Sequence, residues 1–292
     1  MQSRRAIQVG LVIVIAGVIA FVFIIGKNNS SAVYAPSSAK PKVATAPAGG
    51  FDFVTYEKDV IAKLPKKDQD ELMIMLGRLK GRGAMNENLL VIAQKYEKMG
   101  QPALAGYYYN KLAGLEPDNE NVWFGAGKNY FDAEQNVDNQ DKLNYFVDLS
   151  YTALAKVIEM DPNNNLEAMT DQGVNILEKS MNHTLDGPPM QGIGLLMKVM
   201  QKDSNNRKAL NYLGLFSMQS GQFDKAIMRF KHLTEMGPDH DPNYPYYYRY
   251  LAQAYLETGK KQEAVASLEK YKGLVKEQSL KMEADSIIHS VQ

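Results

Sequence analysis

One pattern of small and large residues occurs twice between Asn205 and Leu274. In each copy a small residue is followed seven residues later by a glycine, then five residues later by an alanine and four residues later by a large apolar residue. The copies are Gly214, Gly221, Ala226 and Phe230, and Ala252, Gly259, Ala264 and Leu268. Alternating small and large residues let two antiparallel helices pack closely and interlock. Each helix pair leaves an apolar face that only a neighbouring pair can bury, so the pattern predicts stacked helix pairs.

The same pattern recurs upstream. Its positions are filled in order by Ala93, Tyr96, Gly100, Ala105, Tyr109, Ala113 and Pro117, and an opening signature follows at Trp123, Ala126, Gly127 and Tyr130. This spacing resembles the tetratricopeptide repeat (TPR), a helix-turn-helix module of about 34 residues. The resemblance implies an all-α fold, a TPR-type α-solenoid in which about five repeats over residues 86–274 form a right-handed superhelix. It also implies a protein that binds other proteins and is not an enzyme.

Two further segments flank the predicted repeats, and both carry helical periodicity. We expect residues 51–84 to form a helical pair that covers the open end of the stack, and residues 275–292 to form a C-terminal capping helix. Two insertions, at residues 133–143 and 182–190, interrupt the repeats and match the family pattern least. We interpret them as candidate sites of partner-specific contact; tolerated surface loops are the alternative.

The N-terminal region contains a long apolar run from Ile7 to Ile25, interrupted only by Gln8. As a helix with a rise of 1.5 Å per residue, this run would span about 29 Å, which matches the hydrocarbon thickness of a bilayer. We therefore predict one N-terminal transmembrane helix over residues 7–26, preceded by a short cytoplasmic N-terminus at residues 1–6.

Charged residues around the apolar run predict its orientation. Arg4 and Arg5 precede it and only Lys27 follows closely, so the positive-inside rule places the following residues across the membrane. The expected protein is a single-pass protein of the bacterial inner (cytoplasmic) membrane, with a periplasmic C-terminal domain joined by a flexible Ala/Pro/Ser linker at residues 27–50. A signal peptide cleaved after Ala32 is the alternative, although the run is longer than signal peptides require.

Composition argues against several kinds of chemistry. Lys plus Arg and Asp plus Glu are equal in number, 33 each, so net charge gives no reason to expect nucleic-acid binding. The chain has no cysteine, which rules out disulfides and thiolate chemistry. Its four histidines lie far apart, and no phosphate-binding loop or nucleophile elbow is present. We predict no catalytic residue, no cofactor, no metal site and no small-molecule substrate.

The TPR resemblance further implies a concave groove lined by the first helix of each repeat. Carried onto this chain, the groove positions give the predicted partner-binding residues Phe124, Lys128, Phe131, Asn211, Leu215, Met218, Tyr246 and Arg249. A groove of apolar, amide and basic side chains suits an extended peptide or a partner helix. The tyrosine-rich stretch 244–250 is expected to contribute either to the core or to an interface.

The predicted arrangement is similar to bacterial inner-membrane TPR proteins that organise envelope assemblies, such as those of cytochrome maturation and protein translocation. The first hypothesis is therefore a membrane-anchored scaffold or adaptor that recruits a protein partner, because tethering makes even weak binding useful. A chaperone-like binder of newly exported polypeptides is a second hypothesis. An accessory subunit of an envelope enzyme is a third.

Overall fold

The computed structural model describes residues 51–79, 81, 83–134, 137, 139–181 and 189–291, with only the backbone described at residues 140 and 178–181. All regular structure in these ranges is α-helical, which confirms the predicted all-α class. The thirteen described helices are α1 Phe53–Ala62, α2 Lys66–Arg78, α3 Met85–Lys98, α4 Pro102–Leu115, α5 Glu120–Glu134, α6 Gln140–Met160, α7 Leu166–Met181, α8 Met190–Lys202, α9 Arg207–Gln219, α10 Phe223–Glu235, α11 Tyr244–Glu257, α12 Lys261–Leu274 and α13 Gln278–Val291.

These helices belong to two compact units that divide between Gly192 and Ile193, near the start of α8. Unit 1 contains α1 to α7 and the first residues of α8. Unit 2 contains the rest of α8 and α9 to α13. Consecutive helices pack against one another from α1 to α7 within unit 1, and from α9 to α13 within unit 2. Each unit therefore has the helix-against-helix packing that a repeat array requires.

Three turns between paired helices share one geometry. A glycine with positive φ follows the first helix of each pair: Gly100, Gly221 and Gly259, with φ of 66°, 72° and 74°. In each turn the next residue donates its N–H to the carbonyl oxygen five residues earlier, at 2.8–2.9 Å. This hydrogen bond closes a helix end around a left-handed residue, a conformation that glycine adopts without steric cost. The turn explains why the repeated pattern contains a glycine at this position.

The small residues of the pattern let helices approach closely, as predicted. A Cβ atom on Gly214 would lie 2.8 Å from the ring of Phe230, the large residue of the same pattern. In unit 1, a Cβ on Gly127 would lie 2.7 Å from Leu154, and one on Gly125 would lie 2.8 Å from Tyr109. No real Cβ tolerates such distances, so a small residue is required wherever a large one crosses.

Helix α6 begins inside the first insertion. Helix α6 has 21 residues, whereas α4, α10 and α12 have 13 or 14. The sequence predicted an interruption of the repeats up to residue 143, but α6 begins at Gln140, where the Asn139 side chain accepts hydrogen bonds from the N–H groups of Asp141 and Lys142. This N-cap explains the early start. Of the second insertion, residues 182–188 lie outside the described residues.

The N-terminal pair of helices has two different neighbours. Helix α2 packs on α3, where Leu72 is fully buried and Lys95 Nζ lies 2.6 Å from Glu71 and 3.6 Å from Asp68. Helix α1 contacts both α2 and α4.

The predicted transmembrane helix at residues 7–26 and the linker at 27–50 lie outside the described residues. Within the helices described, none is both long enough and apolar enough to cross a bilayer.

Candidate functional site

The predicted groove residues fall on three helices. We call them the first-helix face of each unit: Phe124, Lys128 and Phe131 on α5 in unit 1, and Asn211, Leu215 and Met218 on α9 with Tyr246 and Arg249 on α11 in unit 2. Six of the eight are half-buried, so their side chains reach the surface. Phe131 is 4% exposed and Met218 is 7% exposed. In this structure those two contribute to the interior, and contact with a partner would first require their exposure.

In unit 1, side chains connect consecutive first helices. Lys128 Nζ on α5 lies 2.9 Å from Glu167 on α7, and 3.7 Å from Asp132 on its own helix. Burial alone would lower the pKa of Lys128, but the hydrogen bond to Glu167 and the nearby carboxylates raise it above its ordinary value. Lys128 is therefore a fixed cation whose nearest acids come from this chain.

A second connection in unit 1 joins α3 to α5. Asn129, 2% exposed, donates from Nδ2 to Gly125 O at 2.9 Å and to Glu97 Oε1 at 3.3 Å. Tyr109 also donates to Glu97, through its hydroxyl at 3.3 Å, and burial followed by the Glu97 charge raises the pKa of Tyr109 to about 12. Polar side chains thus link α3 to α5 and α5 to α7 along unit 1.

In unit 2, Leu215 and Tyr246 pack their inner parts against a core that includes Leu210, Phe230 and Tyr250. Their remaining surface faces outward on α9 and α11, which contact each other. Burial raises the pKa of Tyr246, so its hydroxyl is protonated and available as a donor at neutral pH. This pair of helices presents apolar side chains with polar ends at the surface.

Asn211 is the unusual member of the unit 2 face. Its Oδ1 is buried, and among the residues that the structure describes it has no hydrogen-bond partner. An amide carbonyl left unpaired in this way costs about 1–3 kcal/mol. A donor from a bound molecule, reached by rotation of the half-buried side chain, would remove that cost.

Arg249 on α11 is paired with the C-terminal helix. Its Nη2 lies 2.5 Å from Glu283 Oε1 on α13. Burial would lower the pKa of Arg249, and the contact with Glu283 more than reverses this effect. Sequence reasoning missed Glu283 and Glu167 because it treated α13 as a cap and took no groove residue from α7. A signal was available for Glu283, which follows Arg249 by 34 residues, about one repeat length.

The tyrosine-rich stretch belongs mainly to the core of unit 2. Tyr244, Tyr247 and Tyr250 are buried, and Tyr247 donates to Asp241 Oδ2 at 2.6 Å. Tyr248 is half-buried and its hydroxyl lies 3.2 Å from that of Tyr244. Of the two roles left open for this stretch, the core role therefore applies to most of its tyrosines, and Tyr246 retains a surface position.

No group of three or more His, Asp or Glu side chains suited to a metal ion occurs within the described ranges. His232 Nε2 lies 2.9 Å from Asn205 Oδ1, and His240 and His289 are exposed. His183 lies outside the described residues. The first-helix faces hold cations, amides and apolar groups, which can recognise a polypeptide by hydrogen bonds and burial.

Comparison with known proteins places this geometry in a familiar fold. The family model described as "Tetratricopeptide repeat" matches residues 244–274. No match was found among the curated proteins. A TPR protein from Parabacteroides merdae ATCC 43184 is similar in structure, with a TM-score of 0.53 and 12% identity over 82% of this chain and 85% of that chain.

Two further solved structures have the same fold. One is YrrB, described as a TPR protein with an unusual peptide-binding site; it has a TM-score of 0.52 and 15% identity over 73% of this chain and 97% of that chain. The other is MamA from Desulfovibrio magneticus RS-1, with a TM-score of 0.52 and 18% identity over 66% of this chain and 97% of that chain. The chain thus contains a tetratricopeptide repeat at residues 244–274 and has the helix-pair fold of the solved TPR proteins.

Proposed function

We propose that this protein is a membrane-anchored scaffold that binds a polypeptide partner on the first-helix face of unit 2. The observation that carries the proposal is Asn211, whose Oδ1 lacks a hydrogen-bond donor within the described part of the chain. The half-buried side chains of Leu215 and Tyr246 lie on the same face. An extended peptide offers the backbone N–H groups and apolar side chains that such a face can bind.

The first-helix face of unit 1 supports the same assignment by contrast. Its cation Lys128 is already paired within the chain, as is the buried amide of Asn129 beside it on α5. Partner binding there would have to displace those contacts, which costs free energy. Binding on unit 2 would instead supply a missing hydrogen bond. YrrB, which has the same fold, has a peptide-binding site, and this makes peptide binding a reasonable role for the present chain.

The anchor is the second part of the proposal. The apolar run within residues 7–26 holds the protein in the inner membrane, with its C-terminal domain in the periplasm. The linker at 27–50, treated as a random coil, has an end-to-end distance of about 25–30 Å. The helical units then search a small volume beside the membrane, which raises the effective concentration of any membrane-bound partner.

A peptide array tests the binding face. Purified full-length protein is applied to overlapping peptides from envelope and exported proteins, with Asn211→Leu as the test variant and Asn110→Leu, at an exposed site on α4, as the matched control. We expect a few discrete peptides to bind wild type and Asn110→Leu, with at least tenfold weaker binding to Asn211→Leu. Equal binding by Asn211→Leu would refute the proposed face.

The same array separates the alternatives. Binding of many unrelated apolar peptides would instead favour a chaperone-like binder of exported polypeptides. Enzyme activity that co-purifies with the protein but is absent from it alone would favour an accessory subunit. Protease treatment of spheroplasts tests the anchor. The proposal requires the untreated protein to sediment with the membrane, and protease added outside the spheroplasts to digest its C-terminal domain.

A further inference from the structure

The segment that precedes the repeats packs against them as a ligand would. We call residues 51–62 the strap; it consists of Phe51, the N-cap Asp52 and helix α1. It lies on a surface that we call the aromatic edge, formed by Tyr96, Tyr107, Tyr108, Tyr130, Tyr145 and Phe146. All of these residues lie in unit 1, in the second turn of α4 and near the ends of α3, α5 and α6.

Two phenylalanines fix the strap to this surface. Phe53, 7% exposed, stacks on Tyr107 with ring centroids 4.5 Å apart and lies 6.2 Å from Phe146. Phe51 lies 5.1 Å from Phe146 and 6.4 Å from Tyr145. Aromatic pairs at these distances contribute stability beyond the area they bury. The contacts are therefore specific in geometry and chemistry.

A single carboxylate adds directional contacts. Glu57 Oε1 accepts hydrogen bonds from the hydroxyls of Tyr96 at 2.7 Å and Tyr108 at 2.8 Å. Burial, followed by the Glu57 contact, raises the pKa of both tyrosines well above the ordinary value, so both remain donors. Without Glu57, two largely buried hydroxyls would lose their acceptor, which makes an acid at this position a recognition element.

The unusual length of α6 helps to build this surface. Tyr145 and Phe146 belong to its first two turns, the part that begins at Gln140 rather than later. The insertion at 133–143 is one of the two candidate sites of partner-specific contact, with a tolerated surface loop as the alternative. In the structure the residues just after it contact the strap, and Val137 and Lys142 line a cavity together with Phe51 and Tyr56.

The helix of the strap is short, and half of its residues are exposed. It has ten helical residues, of which only Phe53 and Val60 are buried. A helix this short is marginal without its docking contacts. A cavity of about 260 Å³ lies beside it, lined by Phe51, Tyr56, Pro102, Ala103, Ala133 and Phe146. The aromatic edge therefore has space that the strap leaves unfilled.

We infer that the aromatic edge is a helix-docking site, distinct from the first-helix faces. Within the same chain, the strap occupies this docking site. Its ligand is a short amphipathic helix with an aromatic residue near the start and a glutamate one turn later, as in Phe53 and Glu57. A partner protein carrying such a helix binds by displacing the strap. The strap, as part of the same chain, competes at a high effective concentration and so sets the threshold for that partner.

Displacement is tested with a fluorescein-labelled peptide of residues 51–64 added to the full-length protein. The test variant is Phe53→Ala/Glu57→Ala, which weakens the strap and leaves the aromatic edge intact. The control variant is Val54→Ala/Lys58→Ala, which changes exposed strap residues. We expect fluorescence anisotropy to show at least tenfold tighter peptide binding to the test variant than to wild type or the control. A peptide with both alanines should bind none of them.

Equal or absent binding to a test variant with wild-type helix content would overturn the inference. If that variant loses helix content, a protease site inserted in the turn at residues 63–65 provides the second test. Cleavage then leaves the strap sequence and the aromatic edge unaltered, and the cut strap should exchange with labelled peptide on dilution. A cut strap that stays bound, or a cut protein that takes up no peptide, would contradict a displaceable ligand.

Discussion

The first-helix faces of the two units use related residues in different ways. In unit 1, Asn129 and Lys128 pair with Glu97 and Glu167 on neighbouring first helices. In unit 2, Asn211 has no partner for its Oδ1 among the described residues, although Arg249 is paired with Glu283. Helices at equivalent positions thus differ in whether their polar side chains are paired within the described part of the chain. The amide oxygens of Gln172 and Asn175 on α7 are also unpaired there, but both residues are buried. The proposed face is distinguished by an unpaired oxygen on a half-buried residue, Asn211.

The largest expected effect tests what the two units share. Phe230→Ala in unit 2 and Leu154→Ala in unit 1 each remove a fully buried side chain that crosses a glycine, Gly214 or Gly127. We expect losses of about 3–5 kcal/mol and about 2–5 kcal/mol respectively in the free energy of unfolding, measured by urea titration. Met228→Ala, at a residue 63% exposed, is the control and should change little. A loss below about 1 kcal/mol at either buried site would show that the close contact is not shared.

The turn glycines offer the next test. Gly100→Ala in unit 1 and Gly259→Ala in unit 2 place a side chain at φ of 66° and 74°. Each should destabilise the protein by about 1–2 kcal/mol in the same urea titration. Gly194→Ala, at an exposed site in α8 with no atom near the added Cβ, should instead stabilise it by about 0.5–1 kcal/mol. A change of the same sign in the free energy of unfolding for all three variants would contradict the turn geometry.

The asparagines distinguish the two faces most sharply. Asn129→Leu removes two hydrogen bonds in unit 1 and should destabilise by about 1 kcal/mol or more. Asn211→Leu replaces an amide whose Oδ1 is unpaired within the described part of unit 2 by an apolar group of similar size, and should be neutral or stabilising by about 1 kcal/mol. Thermal unfolding of both variants measures the difference. If Asn211→Leu is the more destabilising of the two, the proposed difference in hydrogen bonding between Asn129 and Asn211 is wrong.

The smallest effects concern the ion pairs. Glu167→Gln and Glu283→Gln weaken the pairs with Lys128 and Arg249, in which the glutamate side chains are 54% and 41% exposed. Solvent screening limits each loss to less than about 1 kcal/mol. Both losses should shrink further in about 1 M salt, measured by thermal unfolding at two ionic strengths. A loss that is large or independent of salt would mean that these residues act through packing instead.

The sequence predicted the features that depend on local spacing. The glycine turns and the contact of Gly214 with Phe230 follow from the repeat pattern, because packing two helices closely requires a small residue opposite a large one. The early start of α6 was missed although Asn139 is a good N-cap, since the polar stretch before it has no apolar periodicity. The N-cap was therefore the only local evidence for helix.

Contacts between distant residues were beyond local pattern reading. Glu57 meets Tyr96 and Tyr108 across 39 and 51 residues of sequence, and nothing in the spacing indicates that the strap reaches α4. The burial of Phe131 and Met218 also depends on neighbouring helices, and their motif positions could not reveal it. Motif positions identify which side of a helix a residue occupies, whereas exposure depends on what packs over it.

Photo-crosslinking in intact cells is the most direct test of the central claim that the first-helix face of unit 2 binds the partner. Probes replace Leu215 and Tyr246 on that face, and a control probe replaces exposed Met228 on the second helix α10. We expect one or two discrete adducts from Leu215 and Tyr246 and none from Met228, with the adducts lost in an Asn211→Leu background. Adducts from Met228 alone, or adducts that persist unchanged in that background, would contradict the claim.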